Sequence, residues 1–205
     1  MATVAVQPQV TPEAYLALER QSGERSEYLN GQVSAMTGAS LAHNAIGVNV
    51  VLSLGAQLKG KPCSVYVADM RVKVSATGLY TYPDVIVVCG EPQLEDAEAD
   101  TLLNPTVLIE VFSPSTEAYD RGEKFAHYRR LPPLQEYVLI GQDRVRVEHF
   151  ARQGDQWVLT EVDDLTDSIR LRSIDCQLAI GDIYDKVLPA RGGVAPSPEA
   201  AGQPA

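Results

Sequence analysis

The sequence predicts an α/β (α+β) fold: a mixed central β-sheet flanked by α-helices, with an N-terminal helix and a β-hairpin ahead of it. Three observations carry that prediction. The runs at 85–88 and 107–111 are unbroken β-branched or aliphatic stretches, the pattern of strands covered on both faces. Asn30-Gly31 stands between two short strand-like runs, and a type I′ hairpin turn favours that dipeptide because both central residues need positive φ. His43, Ile46, Val50, Leu54 and Leu58 recur at intervals of three and four, which marks one face of a helix.

Taken in chain order, Thr11-Pro12-Glu13 reads as an N-cap with proline at the first helical position, opening a short helix with Tyr15, Leu16 and Leu18 on its apolar face and Gly23 beyond its end. The hairpin is expected at 26–36 and the long helix from Ser40 to Leu58, stopped by Gly60 and Pro62. Residues 64–74 read as two strands with a bend at Asp69-Met70, the second with Arg71 and Lys73 on a wet face. Glu91, Glu95, Asp96, Glu98 and Asp100 form an acidic stretch without a basic partner, a solvated loop or surface helix. A helix with a Ser-Thr cap is expected at 115–130, halted by Leu131-Pro132-Pro133, then a strand at 136–140, further strands to about Leu171, and a short helix at 179–188.

Length and composition fit one domain. The 205 residues are 45% hydrophobic and 21% charged, which suits a single core and not a disordered or fibrous chain. The domain is expected at 11–188, after a flexible N-terminus at 1–10 and before an Ala-, Pro- and Gly-rich disordered tail at 189–205. The longest apolar run, Val85-Ile86-Val87-Val88-Cys89, is far short of the ~20 residues of a spanning helix, and no basic-then-apolar leader opens the sequence. A soluble cytoplasmic protein with no membrane partner is the expectation. Cys63, Cys89 and Cys176 are odd in number and far apart, with no C-x-x-C pair or nearby His, which predicts buried reduced thiols. Lys plus Arg number 17 against 27 Asp plus Glu, and the net charge of −10 opposes non-specific nucleic-acid binding.

The sequence holds no G-x-x-x-x-G-K-[ST], no G-x-G-x-x-G after a strand, no G-x-S-x-G and no H-E-x-x-H, so the P-loop, Rossmann, hydrolase-elbow and zincin readings fall away. A distributed ionisable set remains: Asp84 opening a buried strand after Pro83, Glu110 near the end of the second, and Lys124 in the helix that follows. A carboxylate beside an apolar strand is costly to bury alone. Mg²⁺ takes one or two carboxylates and keeps several waters, so Asp84 and Glu110 sharing it would suit phosphodiester hydrolysis, with Lys124 orienting or acidifying a metal-bound water. The structural alternative has both acids capping strand ends or pairing with Arg71 or Arg129.

Asp120, Lys124 and Tyr128 lie four residues apart on one helix face that could point to the strand ends, or Asp120 and Lys124 form a surface pair. Glu27 offers a third carboxylate for a second cation or a water, or simply flanks a hairpin. His43 reads as a hydrogen-bonded histidine and not a general base, and Tyr80 and Tyr82 as local packing. Arg121, Arg129, Arg130, Arg144, Arg146 and Arg152 gather basic charge near Lys124, as a phosphate-facing patch or a solvated face.

Read together, Pro83-Asp84, Ile109-Glu110-Val111-Phe112-Ser113-Pro114-Ser115-Thr116, then Asp120, Lys124, Tyr128 and Glu136-Tyr137 resemble the Uma-type family of restriction-endonuclease-like proteins in the PD-(D/E)XK nuclease superfamily, over about 11–188. Glu27-Tyr28-Leu29-Asn30-Gly31 is similar to the family's E-x-x-x-G hairpin, and His43 to the histidine opening its second helix. The resemblance implies a restriction endonuclease-like mixed sheet flanked by helices, Asp84 and Glu110 as ligands of Mg²⁺ or Mn²⁺, and DNA phosphodiester cleavage by a metal-bound water. The superfamily's lysine stands two residues after the acid; here that position is Phe112, and Lys124 is expected to supply the amine. The leading expectation is therefore a metal-dependent endonuclease. Its alternatives are a catalytically inactive member that binds nucleic acid or protein, and a self-associating protein, a homodimer through exposed sheet edges.

Overall fold

The computed structural model describes residues 9–36 and 38–187. Thr11 caps α1 (Pro12–Glu19), its hydroxyl accepting from Ala14 N–H, and α1 buries Tyr15 and Leu16 while Leu18 is exposed. Strands β1 (Ser26–Leu29) and β2 (Gln32–Ala35) form the expected hairpin, with φ of 50° at Asn30 and 86° at Gly31. A Cβ at Gly31 would also press on Gln9 at 2.7 Å, so glycine is required there by space as well as by φ. Ser40 caps α2 (Leu41–Leu58), which buries Ile46, Val50, Leu54 and Leu58. By length and mean hydropathy this helix could cross a bilayer, but its apolar face packs against the protein's own strands.

Eleven further strands follow: β3 (Cys63–Val67), β4 (Arg71–Val74), β5 (Leu79–Thr81), β6 (Val85–Cys89), β7 (Thr101–Leu102), β8 (Val107–Phe112), β9 (Glu136–Gly141), β10 (Val147–Gln153), β11 (Gln156–Val162), β12 (Ser168–Leu171) and β13 (Cys176–Ala179). Six of them make a mixed sheet in the order β11-β10-β9-β8-β6-β3, in which β8 and β9 are parallel and the other neighbours antiparallel. The expected central runs are β6 and β8. Val85, Val87, Val107 and Ile109 face the core under α2, and Ile86, Val88, Leu108 and Phe112 face a second core on the other side.

Between β8 and β9 the chain crosses over through a helix at 117–128, made of α3 (Glu117–Tyr119), a π turn (Asp120–Lys124) and α4 (Phe125–Tyr128). It starts later than expected, and Thr116 gives no side-chain cap because its own backbone is helical. The last helix is also shorter than expected, α5 (Ile180–Ile183). The N-terminus at 1–8 and the tail from 188 lie outside the described residues.

Three expectations are corrected by contacts between segments remote in sequence. Cys63 and Cys89 are not free thiols: they are bonded to each other, standing opposite in the β3–β6 register, while Cys176 is free and buried. Sequence spacing says nothing of strand pairing, which is what sets two cysteines within reach. Arg71 does not lie on a wet face. The bend at Asp69-Met70 sends β4 into a second sheet, ordered β2-β1-β5-β4-β7, where Arg71 is buried and donates to Tyr82 Oη and Thr101 Oγ1. The acidic stretch does have basic partners: Arg20 binds Asp96 at 2.7 Å and Asp100 at 2.8 Å, and Lys73 pairs with Glu95.

Candidate active site

β6 and β8 are antiparallel, with Val85 opposite Ile109, so Asp84 just before β6 stands beside Glu110 one residue further along β8. Asp84 is fixed by both oxygens. Oδ2 accepts the Val111 N–H at 2.7 Å, and Oδ1 lies 2.9 Å from His43 Nε2, carried on the first turn of α2. Glu110 shares a face of β8 with Phe112, the face that helix 117–128 covers, and from that helix two groups reach its Oε1: Tyr128 Oη donates at 2.7 Å and Lys124 Nζ at 3.0 Å.

Lys124 is also 3.0 Å from Glu27 Oε1 and 3.8 Å from Asp120 Oδ1. Glu27, on β1, accepts in addition from Thr81 and from Tyr119 Oη at 2.9 Å. The structure thus gathers all five sequence-selected residues, Asp84, Glu110, Lys124, Glu27 and Asp120, into one cluster. The surface-pair alternative for Asp120 and Lys124 is overturned, since both are buried, and so is pairing of the acids with arginine. Arg71 serves Tyr82, Thr101 and Asp100, and Arg129 lies 5.9 Å over the Phe125 ring.

Electrostatics divide the carboxylates. Burial pushes the Glu110 carboxyl up to about 8, with the charges of Asp84 and Asp120 adding to the rise and Lys124 opposing it. Asp120 is likewise raised, chiefly by burial. Glu27 goes the other way: burial is outweighed by Lys124 together with the Thr81 and Tyr119 donors, which hold it below the usual range. Against its own burial, Lys124 is kept charged by Glu110, Glu27 and Asp120. The hydrogen bond to Asp84 raises the His43 imidazole, with a further contribution from the Val111 carbonyl.

The cluster opens on one side. The Asp84 and His43 side chains are 17% and 23% exposed and Glu27 is 14%, against 6% for Glu110 and 5% for Lys124, so the cluster meets solvent chiefly at Asp84 and His43. Among the described residues no group of three or more His, Cys, Asp or Glu side chains is arranged to cage an ion. Asp84 and Glu110 are hard carboxylate donors of the kind Mg²⁺ takes one or two of, so the residues present would suit that ion.

His43 was placed by the sequence as a hydrogen-bonded residue, but its partner was not legible; its position three residues after the Ser40 cap is the only local signal. Thr81 and Tyr119 gave none. Tyr80 packs with Tyr15 and Tyr28 as expected, and Tyr82 joins Arg71 to Glu19. The six arginines do not form one patch. Arg121, Arg144 and Arg146 pair with Glu117, and Arg121 and Arg146 also with Glu148, while Arg152 donates to the carbonyls of Leu134, Arg129 and Leu131. Arg129 and Arg130 remain exposed.

A mixed sheet flanked by helices, with a helical crossover between its parallel strands, is an α+β architecture shared with a solved nuclease-like fold. The protein is similar in fold to the crystal structure of a putative nuclease belonging to DUF820 from Anabaena variabilis, with a TM-score of 0.69 and 19% identity over 86% of this chain and 98% of that one. The chain belongs to the Uma2 family, described as putative restriction endonuclease, whose family model matches residues 12–181. Two proteins of Synechocystis sp. are similar along most of their lengths: "Uncharacterized protein sll1609", 38% identical over 79% of this chain and 92% of that protein, and "Uncharacterized protein slr1290", 35% identical over 86% and 92%.

Proposed function

We propose that the protein is a metal-dependent endonuclease that hydrolyses DNA phosphodiester bonds at the Asp84–Glu110–Lys124 cluster. The observation that carries this reading is the Lys124 amine 3.0 Å from Glu110: a lysine absent from the β8 position, where Phe112 stands, returns to the same carboxylate from the helix above. Asp84 and Glu110 would hold Mg²⁺ or Mn²⁺, which when bound supplies a lowered water pKa and neutralises charge on the phosphate. The Val111 N–H fixes Asp84 Oδ2, Tyr128 and Lys124 fix Glu110, and His43 stands at the open side against Asp84 Oδ1. Lys124 lies too deep to meet bulk solvent, so it acts as a fixed positive charge on Glu110 and on groups that Glu110 holds.

One observation favours the binding-only reading: both Asp84 oxygens already have protein partners. Incubation with single-stranded, duplex and branched DNA in Mg²⁺ or Mn²⁺ separates the two. Cleavage is expected for the native chain and lost by at least about 100-fold in Asp84→Asn and in Glu110→Gln, both shown by circular dichroism to be folded. Cleavage that survives Asp84→Asn, or folded native protein that binds DNA and cuts none of it, would sink the nuclease reading.

A further inference from the structure

Helix 117–128 covers only part of its face of the six-stranded sheet. Between its outer flank and the β10–β11 hairpin lies a cleft of about 720 Å³. The floor is aromatic, with Phe125 from the helix, Phe150 from β10 and Trp157 from β11, and Leu159 is half exposed at the rim. The wall is cationic. Arg129 and Arg130 come from the end of the helix, and the Arg152 guanidinium lies 4.6 Å from the Trp157 ring centroid, held there by three backbone carbonyls. Among the described residues Asp155 is the one acid lining the cleft.

That arrangement stands out in a chain with a net charge of −10. Arg20, Arg25, Arg71, Arg121, Arg144 and Arg146 all meet carboxylates, whereas Arg129 and Arg130 are exposed and, among the described residues, paired with none. An aromatic floor beside guanidiniums that no carboxylate neutralises is complementary to a π-faced anion, since any base can stack and guanidinium matches phosphate geometry. The volume suits one small ligand unit better than a flat protein contact. Lys124 and Phe125 are consecutive residues, one serving the carboxylate cluster and the other this cleft, so one helix joins the two places.

We propose that the cleft takes one unstacked nucleotide of a single-stranded segment, its base on the Trp157 side of the floor and its phosphate on Arg129 and Arg130. This rests on the reading that the polymer the protein acts on is nucleic acid, and it adds a contact distinct from the carboxylate cluster.

Trp157 is the only tryptophan in the chain, so intrinsic fluorescence reports this cleft directly. Full-length protein is titrated with dye-labelled oligo(dT) in EDTA at several salt concentrations, following Trp157 emission and dye anisotropy together, beside R129A/R130A, with sedimentation velocity on each. Saturable quenching is expected, weakened about tenfold or more in R129A/R130A. The slope of log affinity against log salt should fall by about 0.7 in that variant, the single-strand value for one phosphate contact. Binding by anisotropy without quenching, or quenching indifferent to R129A/R130A, overturns the cleft proposal and leaves the nucleic-acid reading intact. Absence of binding by either readout overturns both. Emission that changes only with protein concentration, alongside a dimer abolished by Leu159→Asp, assigns the cleft to a second copy of the chain and overturns the proposal.

Discussion

Lys124 divides one positive charge among Glu110, Glu27 and Asp120, and the division is unequal because the three carboxylates have different helpers. Glu27 has Thr81 and Tyr119 as donors and stays ionised, whereas Glu110 has the Tyr128 hydroxyl and is pushed upward by its burial. Removing the amine strands charge in a buried place. Lys124→Met is expected to cost about 3–5 kcal/mol in urea unfolding, and adding Glu110→Gln to it should recover part of that loss, because the two positions share one interaction. Full additivity of the two changes would contradict the shared cluster. At this scale the sequence was informative about residue identity: cost of burial singled out the acids beside the apolar runs, and the resemblance to the family pointed to the lysine of the adjoining helix as their partner. The His43–Asp84 contact was not legible, because it joins α2 to the entry of β6 across the fold.

Elements differ in how much of themselves they write into the chain. Strands β6 and β8 are buried on both faces and so leave continuous apolar runs, and α2 leaves its three-and-four spacing. The π turn at Asp120–Lys124 leaves no such mark, because an extra residue per turn does not disturb which side chains are apolar. Strand partners are equally silent, which is why the Cys63–Cys89 bond and the second sheet were missed. The π turn offers its own test. Deleting Gly122 should restore ordinary helical bonding and rotate residues 117–121 by about 100° against 124–128. Tyr119 would then leave Glu27 and Arg121 would leave Glu148. Helical content by circular dichroism is expected to hold or rise while DNA cleavage is lost; retained cleavage would show that the turn is incidental to the site.

Across the whole molecule, charge is organised by long-range pairs that a linear reading could only count. Arg20, at the end of α1, grips Asp96 and Asp100 and ties the N-terminal helix to the loop before β7. The Arg20 hydrogen bonds are the largest cause holding Asp100 down to about 2. A depressed folded-state pKa gives stability that is complete above the unfolded value near 3.9 and is lost as pH falls through about 2. Both side chains are partly exposed, so solvent screening leaves about 1 kcal/mol. Asp100→Asn is expected to lose that much at pH 7 and to flatten the fall of stability between about pH 4 and pH 2 in acid titration of the melting temperature. An unchanged acid limb would remove Arg20–Asp100 from the account.

The parallel pair β8–β9, with helix 117–128 between its strands, also bears on the order in which the chain folds. Glu110 and Lys124 are fourteen residues apart in sequence, while Glu27 and Lys124 are separated by nearly a hundred. Closing the shorter loop is easier by about 2 kcal/mol of chain entropy. A strand, its crossover helix and the next parallel strand can therefore meet before the hairpin arrives, and Lys124 enters the interior with its first counter-ion already beside it. The hairpin bearing Glu27 then closes over a charge that has been half neutralised, which makes the last long-range step a docking event and not the burial of a bare ammonium group.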